Sequence, residues 1–228
     1  MSFKFYTFSY NNPERKRKMK ERFSKEDIDI EFVECVEQTD TRVSFIQPEH
    51  RRCWAVMWNH LDMLKLFIES DNEYGIFCED DIEIRKGIKK YIPEIICAYN
   101  RMNLEILMLG YLIPFAPVDI KTINMSLLDR PLSYLTYDND VWGAQMYLLN
   151  RKTVTKFLER YTVDYAIKSL LDSSMQPFCS DWTLTKEGER AAIYPMMAVE
   201  EGVVATDHQG QIDFHRMCNL INRDDNYH

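Results

Sequence analysis

One short stretch constrains the fold more than any other part of the chain. In residues 74–84 an apolar run ends abruptly in three adjacent carboxylates, Glu79, Asp80 and Asp81. The run from Tyr74 to Cys78 has the length and composition of a buried strand. Because unpaired carboxylates are too costly to bury, the three acids must emerge at the carboxyl end of that strand. Open α/β sheets bind their ligands at this edge.

The sequence supports two interpretations of the acidic triplet about equally. Three adjacent carboxylates repel one another, and a divalent cation would neutralise them. The simpler interpretation is an acidic turn in solvent, which is the commoner fate of a charge run. The position of the acids directly after a buried strand is what raises the first interpretation to the level of the second.

The segments around this strand predict an α/β fold. Residues 3–8 form a first strand, and Asn12 followed by Pro13 is a strong helix start for a basic helix over residues 14–24. A half-buried second strand over residues 28–36 completes a βαβ unit. Apolar residues then recur at helical spacing over residues 54–68, which predicts an amphipathic helix packed on the sheet.

The remaining segments complete a single domain over residues 1–228. Strands are predicted at 104–109, 141–149 and 191–194, and helices at 86–99, 151–161 and 163–172, with Pro93 interrupting the first of these helices and Asn150 capping the second. Residues 38–52 are expected to form a loop over the ligand edge. Residues 110–140 read as an irregular insertion or lid, and residues 200–228 as a loosely held polar tail.

Composition narrows the classes of function. A net charge of −8 argues against a general nucleic-acid binder. No apolar run approaches the ~20 residues needed to span a bilayer, and the start of the chain lacks a signal-peptide pattern. The six cysteines form no C-x-x-C pair, so they are expected to be reduced thiols. These features predict a cytoplasmic protein without an integral membrane segment.

Three further residues are candidates for a site. Arg15 lies in the first turn of the basic helix, where it is the best placed of its neighbours to contact a phosphate. His60 follows Trp58 on the amphipathic helix, where a structural histidine is commoner than a ligand. Asp181 stands at a predicted helix start, where the helix dipole would keep it ionised; an N-cap role is nearly as good an explanation of this residue.

With these segments placed, the chain resembles glycosyltransferase family 25, which includes lipooligosaccharide and collagen hydroxylysine galactosyltransferases. The resemblance is carried by an ordered set of blocks that spans nearly the whole chain. These blocks are the opening strand with Pro13, Glu14, Arg15 and Met19; residues 53–64 with Asn59, His60 and Leu61; residues 76–81; residues 143–151; residues 181–184; and residues 193–195.

The resemblance implies a GT-A fold, a UDP-sugar donor, Mn²⁺ or Mg²⁺, and inversion at the sugar. Glu79 and Asp81 would bind the metal, with Asp81 the first choice, and His208 or the adjacent Asp207 would supply a remote ligand. Asp181 would be the catalytic base. Six residues would contact the UDP-sugar, and one of them is the middle acid of the triplet. They are Thr7, Phe8, Ser9, Arg15, His60 and Asp80.

The acceptor implied by the resemblance is a glycan or a hydroxylysine-type protein side chain. A homodimer and a viral protein acting in the host cytoplasm are both compatible with so compact a chain. Two other functions stay open. One is a metal-dependent nucleotidyl or phosphoryl transfer enzyme, although the chain has no Gly-rich phosphate loop. The other is a degenerate family member that serves as a binding module.

Overall fold

The computed structural model describes residues 1–9, 11–115, 122–124, 132–138, 140–202 and 208–228. Helices and strands alternate through most of this length. The strands are β1 Phe3–Phe8, β2 Ile30–Val33, β3 Tyr74–Cys78, β4 Ile82–Ile84, β5 Ile106–Leu112, β6 Thr122–Asn124, β7 Ser133–Leu135, β8 Trp142–Asn150, β9 Arg190–Tyr194 and β10 Ala198–Glu200. The helices are α1 Pro13–Lys25, α2 Pro48–Glu69, α3 Ile88–Arg101, α4 Arg151–Arg160, α5 Val163–Leu171, α6 Ser180–Thr183 and α7 Gln209–Asn222.

Eight of these strands form one mixed sheet in the order β2-β1-β3-β8-β5-β9-β7-β6. Strand β1 runs parallel to both β2 and β3, whereas β8 is antiparallel to β3 and to β5. Strands β4 and β10 pair with each other in a small second sheet. The predicted α/β class, with a Rossmann-like mixed sheet flanked by helices, is confirmed.

The two faces of the sheet bury different side chains because successive residues of a strand point to opposite sides. Tyr6 and Phe77 belong to the core layer that also contains α2 and α4. Their neighbours Phe5 and Ile76 belong to the other layer, under α1 and α3. A continuous apolar strand such as β3 is therefore what a sheet covered on both faces requires.

Both predicted helix starts are present. The Asn12 side chain accepts hydrogen bonds from the amides of Glu14 and Arg15 at 3.1 and 3.2 Å, with Pro13 at the first helical position. The Asn150 side chain accepts from the Thr153 amide at 2.9 Å and opens α4 directly after β8. In each case the cap ends a strand or turn and fixes the direction of the following helix.

Three sequence expectations fail in detail. Helix α2 begins at Pro48, so the end of the predicted loop is helical. Helix α3 runs through Pro93 without interruption, because its loss of one hydrogen bond is outweighed by burial of the apolar face around it. Within 110–140, β7 joins the large sheet through β9, with Tyr134 opposite Ile193. Residues 116–121, 125–131 and 139 of the expected lid lie outside the described residues.

The chain end is also better anchored than its polar sequence predicts. Residues 209–222 form α7, and Tyr227 is buried with its hydroxyl donating to the Met196 carbonyl at 2.9 Å. The expectation of a loosely held tail is therefore wrong for residues 208–228, because a single aromatic anchor and one helix face give this segment a place in the core. In the described part of the chain, no helix combines the length and apolar character needed to cross a membrane.

Arg151 links two elements through backbone carbonyls. Its guanidinium donates to the carbonyls of Ile68, Ser70 and Asn72 at 2.6, 2.7 and 3.0 Å, and so satisfies the carboxyl end of α2 from the first residue of α4.

We expect Arg151→Met to lower the free energy of unfolding by about 2 kcal/mol, because the carbonyls lose charge-assisted partners. Urea denaturation measures this, with the exposed neighbour variant Lys152→Met as control. Equal midpoints for the two variants would contradict the assignment.

Candidate active site

The acidic triplet is enclosed by the backbone of neighbouring strands. The Glu79 amide donates to the Gln145 carbonyl at 3.0 Å, and the Asp81 carbonyl accepts from the Glu201 amide at 2.8 Å. These bonds tie the end of β3 to β8 on one side and to the end of β10 on the other. Asp80 is only 2% exposed. The interpretation of the triplet as an acidic turn in solvent is therefore wrong.

Arg15 faces these acids across the end of the sheet. One of its guanidinium nitrogens donates to Asp80 Oδ1 at 3.0 Å and lies 3.4 Å from Asp81 Oδ2. The Asn12 cap that opens α1 is what places this first-turn residue over the carboxyl ends of β1 and β3. In this structure Arg15 neutralises carboxylates, whereas the sequence predicted a phosphate contact for it.

Two more carboxylates come from later in the chain. Glu200, at the end of β10, is 5% exposed and receives His215 Nδ1 at 2.5 Å. Asp181 lies in α6, beside the same cleft as Glu79. Five carboxylates thus converge near two cationic side chains, Arg15 and His215, and the cluster carries a surplus of negative charge.

This surplus changes the acidity of the cluster. Burial, together with the negative charges of Asp181 and Glu200, raises the pKa of Glu79 to about 8. Burial and the charges of Glu79 and Glu200 likewise hold the Asp81 pKa well above its ordinary value, against the opposing charge of Arg15. The cluster therefore favours binding a proton or another cation.

The surroundings of Asp181 shift its pKa in the direction opposite to the effect of a helix start. Its pKa is raised, chiefly by burial, against a hydrogen bond from Ser180 and the nearby charges of Lys186 and His215. Helix α6 is a single turn whose N-cap is Cys179, so Asp181 is not the cap and the helix dipole is small. Desolvation outweighs the dipole here.

His60 is a supporting residue. It is fully buried, with Nδ1 hydrogen-bonded to the Tyr147 hydroxyl at 2.9 Å and Nε2 3.4 Å from Glu79 Oε1. Burial lowers the His60 pKa to about 4, so the ring is neutral near pH 7. The predicted direct donor contact does not fit this burial, and His60 instead holds the Glu79 carboxyl in place.

The end of β1 is mostly closed as well. Thr7 and Phe8 are buried, with the Thr7 hydroxyl donating to the Phe8 carbonyl at 3.1 Å, so their side chains do not face a donor. Ser9 does reach a cavity, of about 380 Å³, between the ends of β1 and β2. Asn12 and Lys16 of the α1 start line the same cavity.

The main cleft opens beside the acids and has a volume of about 560 Å³. It has an acidic floor, an aromatic wall and residues from α7. Its lining residues include Cys53, Glu79, Trp142, Gln145, Asp181 and His215. Trp142 meets Trp182 edge to face, with ring centroids 4.9 Å apart. Gln145 is 4% exposed, and its Oε1 is buried without a hydrogen-bond partner.

The oxygen atoms of these carboxyl groups are suited to bind a hard divalent cation. Asp81 Oδ1 is buried and has no hydrogen-bond partner. The acids around it give this part of the protein a surplus of negative charge. Carboxylate oxygens are the ligands that Mg²⁺, Mn²⁺ and similar ions take. Over the described residues, however, no three His, Cys, Asp or Glu side chains are already arranged around a common ion position.

The predicted remote metal ligand is placed differently. His208 is exposed and caps α7, its Nδ1 accepting from the Gln211 amide at 3.3 Å. Asp207 lies outside the described residues. The histidine that lines the cleft is His215, seven positions further along the chain. Burial favours neutral His215, but Glu200, Asp81 and Glu79 together raise its pKa above the ordinary value.

Sequence reasoning missed three residues of this site. Gln145 left a usable signal, since it is a polar residue inside the otherwise apolar strand 141–149. Glu200 and His215 left none, because each lies in a segment whose pattern predicts only a polar chain end. Their contribution depends on β10 and α7 folding back toward β3.

No family model matches the sequence, and comparison with curated proteins gives no match. Among solved structures, the chain is similar to a glycosyltransferase involved in glycosylation of the major capsid of PBCV-1. That likeness has 9% identity and a TM-score of 0.43 and covers 95% of this chain and 100% of the other. It is also similar to a mannose-1-phosphate geranyltransferase from Thermus thermophilus, with 10% identity, a TM-score of 0.42 and coverage of 85% and 74%. Likenesses this weak do not bear on the activity of this chain.

The raised pKa of Glu79 predicts a stability change with pH. The folded protein holds a proton on Glu79 up to about pH 8, whereas the unfolded chain releases it near 4.5. The free energy of unfolding contributed by this group therefore falls as pH rises between those values. Glu79→Gln removes this dependence, so its stability relative to wild type should increase from pH 5.5 to pH 8 by at least about 1 kcal/mol. Urea denaturation in chelator measures the change.

The control for that measurement is Glu69→Gln, which alters an exposed carboxyl on α2. Its difference from wild type should be the same at both pH values. If the difference in free energy of unfolding between Glu79→Gln and wild type stays constant or decreases as pH rises, Glu79 is ionised in the folded protein throughout this range.

Proposed function

We propose that this protein is a glycosyltransferase with a GT-A-like fold that transfers a sugar from a UDP-sugar to an acceptor hydroxyl. One observation carries the proposal: the carboxyl groups of Glu79 and Asp181 line a cleft at the carboxyl edge of the parallel strands, and burial together with neighbouring acids raises the pKa of Glu79. Ligands of open α/β sheets bind at this edge. The ordered motifs that resemble glycosyltransferase family 25 support the narrower assignment to that family.

A divalent cation, Mn²⁺ or Mg²⁺, would be held by Asp81 with help from Glu79 and Asp80. When bound, it would offset the negative charge of the diphosphate and of the departing UDP. Arg15 fixes the orientation of Asp80 and Asp81 through its two contacts. His60 similarly restrains Glu79. The carboxyl positions would thus be set before a donor enters.

Asp181 is the candidate base for the acceptor hydroxyl. It lines the cleft, and its raised pKa brings its proton affinity closer to that of a base working near neutral pH. The acceptor proton would pass to an Asp181 oxygen as the hydroxyl oxygen attacks the anomeric carbon. The Ser180 hydroxyl, 3.4 Å from Asp181 Oδ1, restrains the carboxyl for that transfer. The acceptor itself would be a glycan or a hydroxylated protein side chain.

The donor hypothesis is tested by incubating the protein with Mn²⁺ and a panel of UDP-sugars and measuring released UDP. At least one sugar should give metal-dependent release that chelator abolishes. Absence of both UDP release and calorimetric UDP binding across the panel would reject a UDP-sugar transferase. Formation of UMP and sugar 1-phosphate instead of UDP would show cleavage within the diphosphate and would favour the nucleotidyl or phosphoryl alternative.

Asp81→Asn should abolish Mn²⁺-dependent binding of UDP, since it removes a charged ligand while keeping the shape of the side chain. Isothermal calorimetry measures the binding, and Asp71→Asn, at the opposite end of β3 and exposed, is the matched control. Circular dichroism verifies that both variants fold. Wild-type affinity in the Asp81 variant would remove that residue as a metal ligand.

Asp181→Asn should keep Mn²⁺-dependent UDP binding but lower turnover of the best donor by about 100-fold or more, because the amide cannot take the proton. Turnover is followed as UDP release, with Asp164→Asn, an exposed acid in the first turn of α5, as control. Undiminished release in the Asp181 variant would exclude it as the base.

A further inference from the structure

Two free thiols meet in the wall of the main cleft. Cys53, on α2, and Cys179, the N-cap of α6, both line it and both are partly exposed. The Cys53 thiol is close enough to Cys179 to raise the pKa of that thiol. The Cys53 thiol also lies 3.8 Å from the carbonyl of Phe178, the residue before Cys179. Two residues from distant parts of the chain are thus paired at one point of the site.

The pairing is held by the core around it. The Phe178 ring is buried and packs against Trp54 and Trp58 of α2, with centroid distances of 5.2 and 5.1 Å. Phe178 therefore fixes the start of α6 against the first turns of α2. The Thr183 hydroxyl adds a contact to Met57 of the same helix at 3.4 Å. A bond between the two sulfurs would join elements that already pack together.

We propose that Cys53 and Cys179 are a redox-modifiable pair that a small disulfide, such as oxidised glutathione, converts to an intramolecular disulfide. The Cys53 thiolate attacks one sulfur of the small disulfide, which breaks that bond, forms a mixed disulfide and releases one thiolate. Cys179 then loses its proton and attacks the Cys53 sulfur, releasing the second thiolate. Two cysteine thiols are oxidised, and one small disulfide is reduced to two thiols.

The order of these steps follows from the surroundings of each sulfur. The neighbouring Cys53 thiol, burial and the charge of Asp181 all raise the pKa of Cys179. Cys179 is therefore the poorer first nucleophile and acts as the resolving thiol. The attack that closes the bond is intramolecular, which compensates for its low thiolate fraction.

The bond would also restrain the proposed base. Cys179 is two residues before Asp181 and caps the turn that carries it. This consequence rests on the proposed function: a covalent bond between Cys53 and Cys179 would tie the turn that carries Asp181 to α2 and limit the movement of its carboxyl group. Oxidation is therefore expected to lower turnover.

The modification is tested without any substrate. The folded protein is treated with oxidised glutathione, alkylated and analysed by intact mass and peptide mapping. We expect a Cys53–Cys179 cross-linked peptide, with the mass lowered by two hydrogens, while Cys97, exposed on α3, serves as the reference thiol. Cys179→Ser should retain glutathione on Cys53, and Cys53→Ser should leave Cys179 largely unmodified. Stable glutathione on both residues of the wild type, with no cross-link, would overturn the pair.

The effect on activity is measured as the rate of UDP release after oxidation divided by the rate before oxidation. The ratio should fall several-fold for wild type, return with dithiothreitol, and stay at one for Cys53→Ser. Unchanged turnover of fully cross-linked protein would overturn the proposed restraint of Asp181. If the reduced protein releases no UDP from any donor, the proposed function fails, while the cross-linking result still decides the pair.

Discussion

The structure depends on the confinement of acidic charge at the end of one buried strand. Strand β3 is apolar on both faces, so its charges can appear only after Cys78. A backbone hydrogen bond from the Glu79 amide to Gln145 and one from the Glu201 amide to Asp81 then hold the triplet against β8 and β10. Glu200 and Asp181 bring further negative charge to the same place, and Arg15 and His215 offset only part of it. The high proton affinity of Glu79 and Asp81 is the direct consequence.

The elements around the triplet act as supports for it. The Asn12 cap points the first turn of α1 at the acids, so that Arg15 reaches two of them. Helix α2 contributes a neutral, buried His60 that contacts Glu79 on its inner side. Preorganised carboxyl groups of this kind are what a cation or a developing charge requires. Burial of the sheet on both faces confines the acids to the end of β3, and their position there sets the chemistry of the cleft.

Much of this arrangement was predictable. The period of the apolar residues identifies α2 and β3, and the Asn-Pro and strand-Asn patterns mark the starts of α1 and α4. The place of the triplet at the ligand edge follows from the cost of burying charge. The burial of Thr7, Phe8 and His60 was not predictable, because sequence proximity to a strand end does not reveal whether a side chain is covered. His208 was favoured over His215 for the same reason, since nothing local distinguishes the two.

The sequence by itself determined the succession of strands and helices and the position of the acids, because periodicity, capping and desolvation act over a few neighbouring residues. Only the tertiary structure decided that Asp181 and His215 share a cleft with Glu79, that Glu200 pairs with His215, that Arg15 faces carboxylates, and that Cys53 lies beside Cys179. Those contacts join residues far apart in the chain. Their electrostatics depend on burial and distance, which are properties of the packed fold and have no local pattern in the sequence.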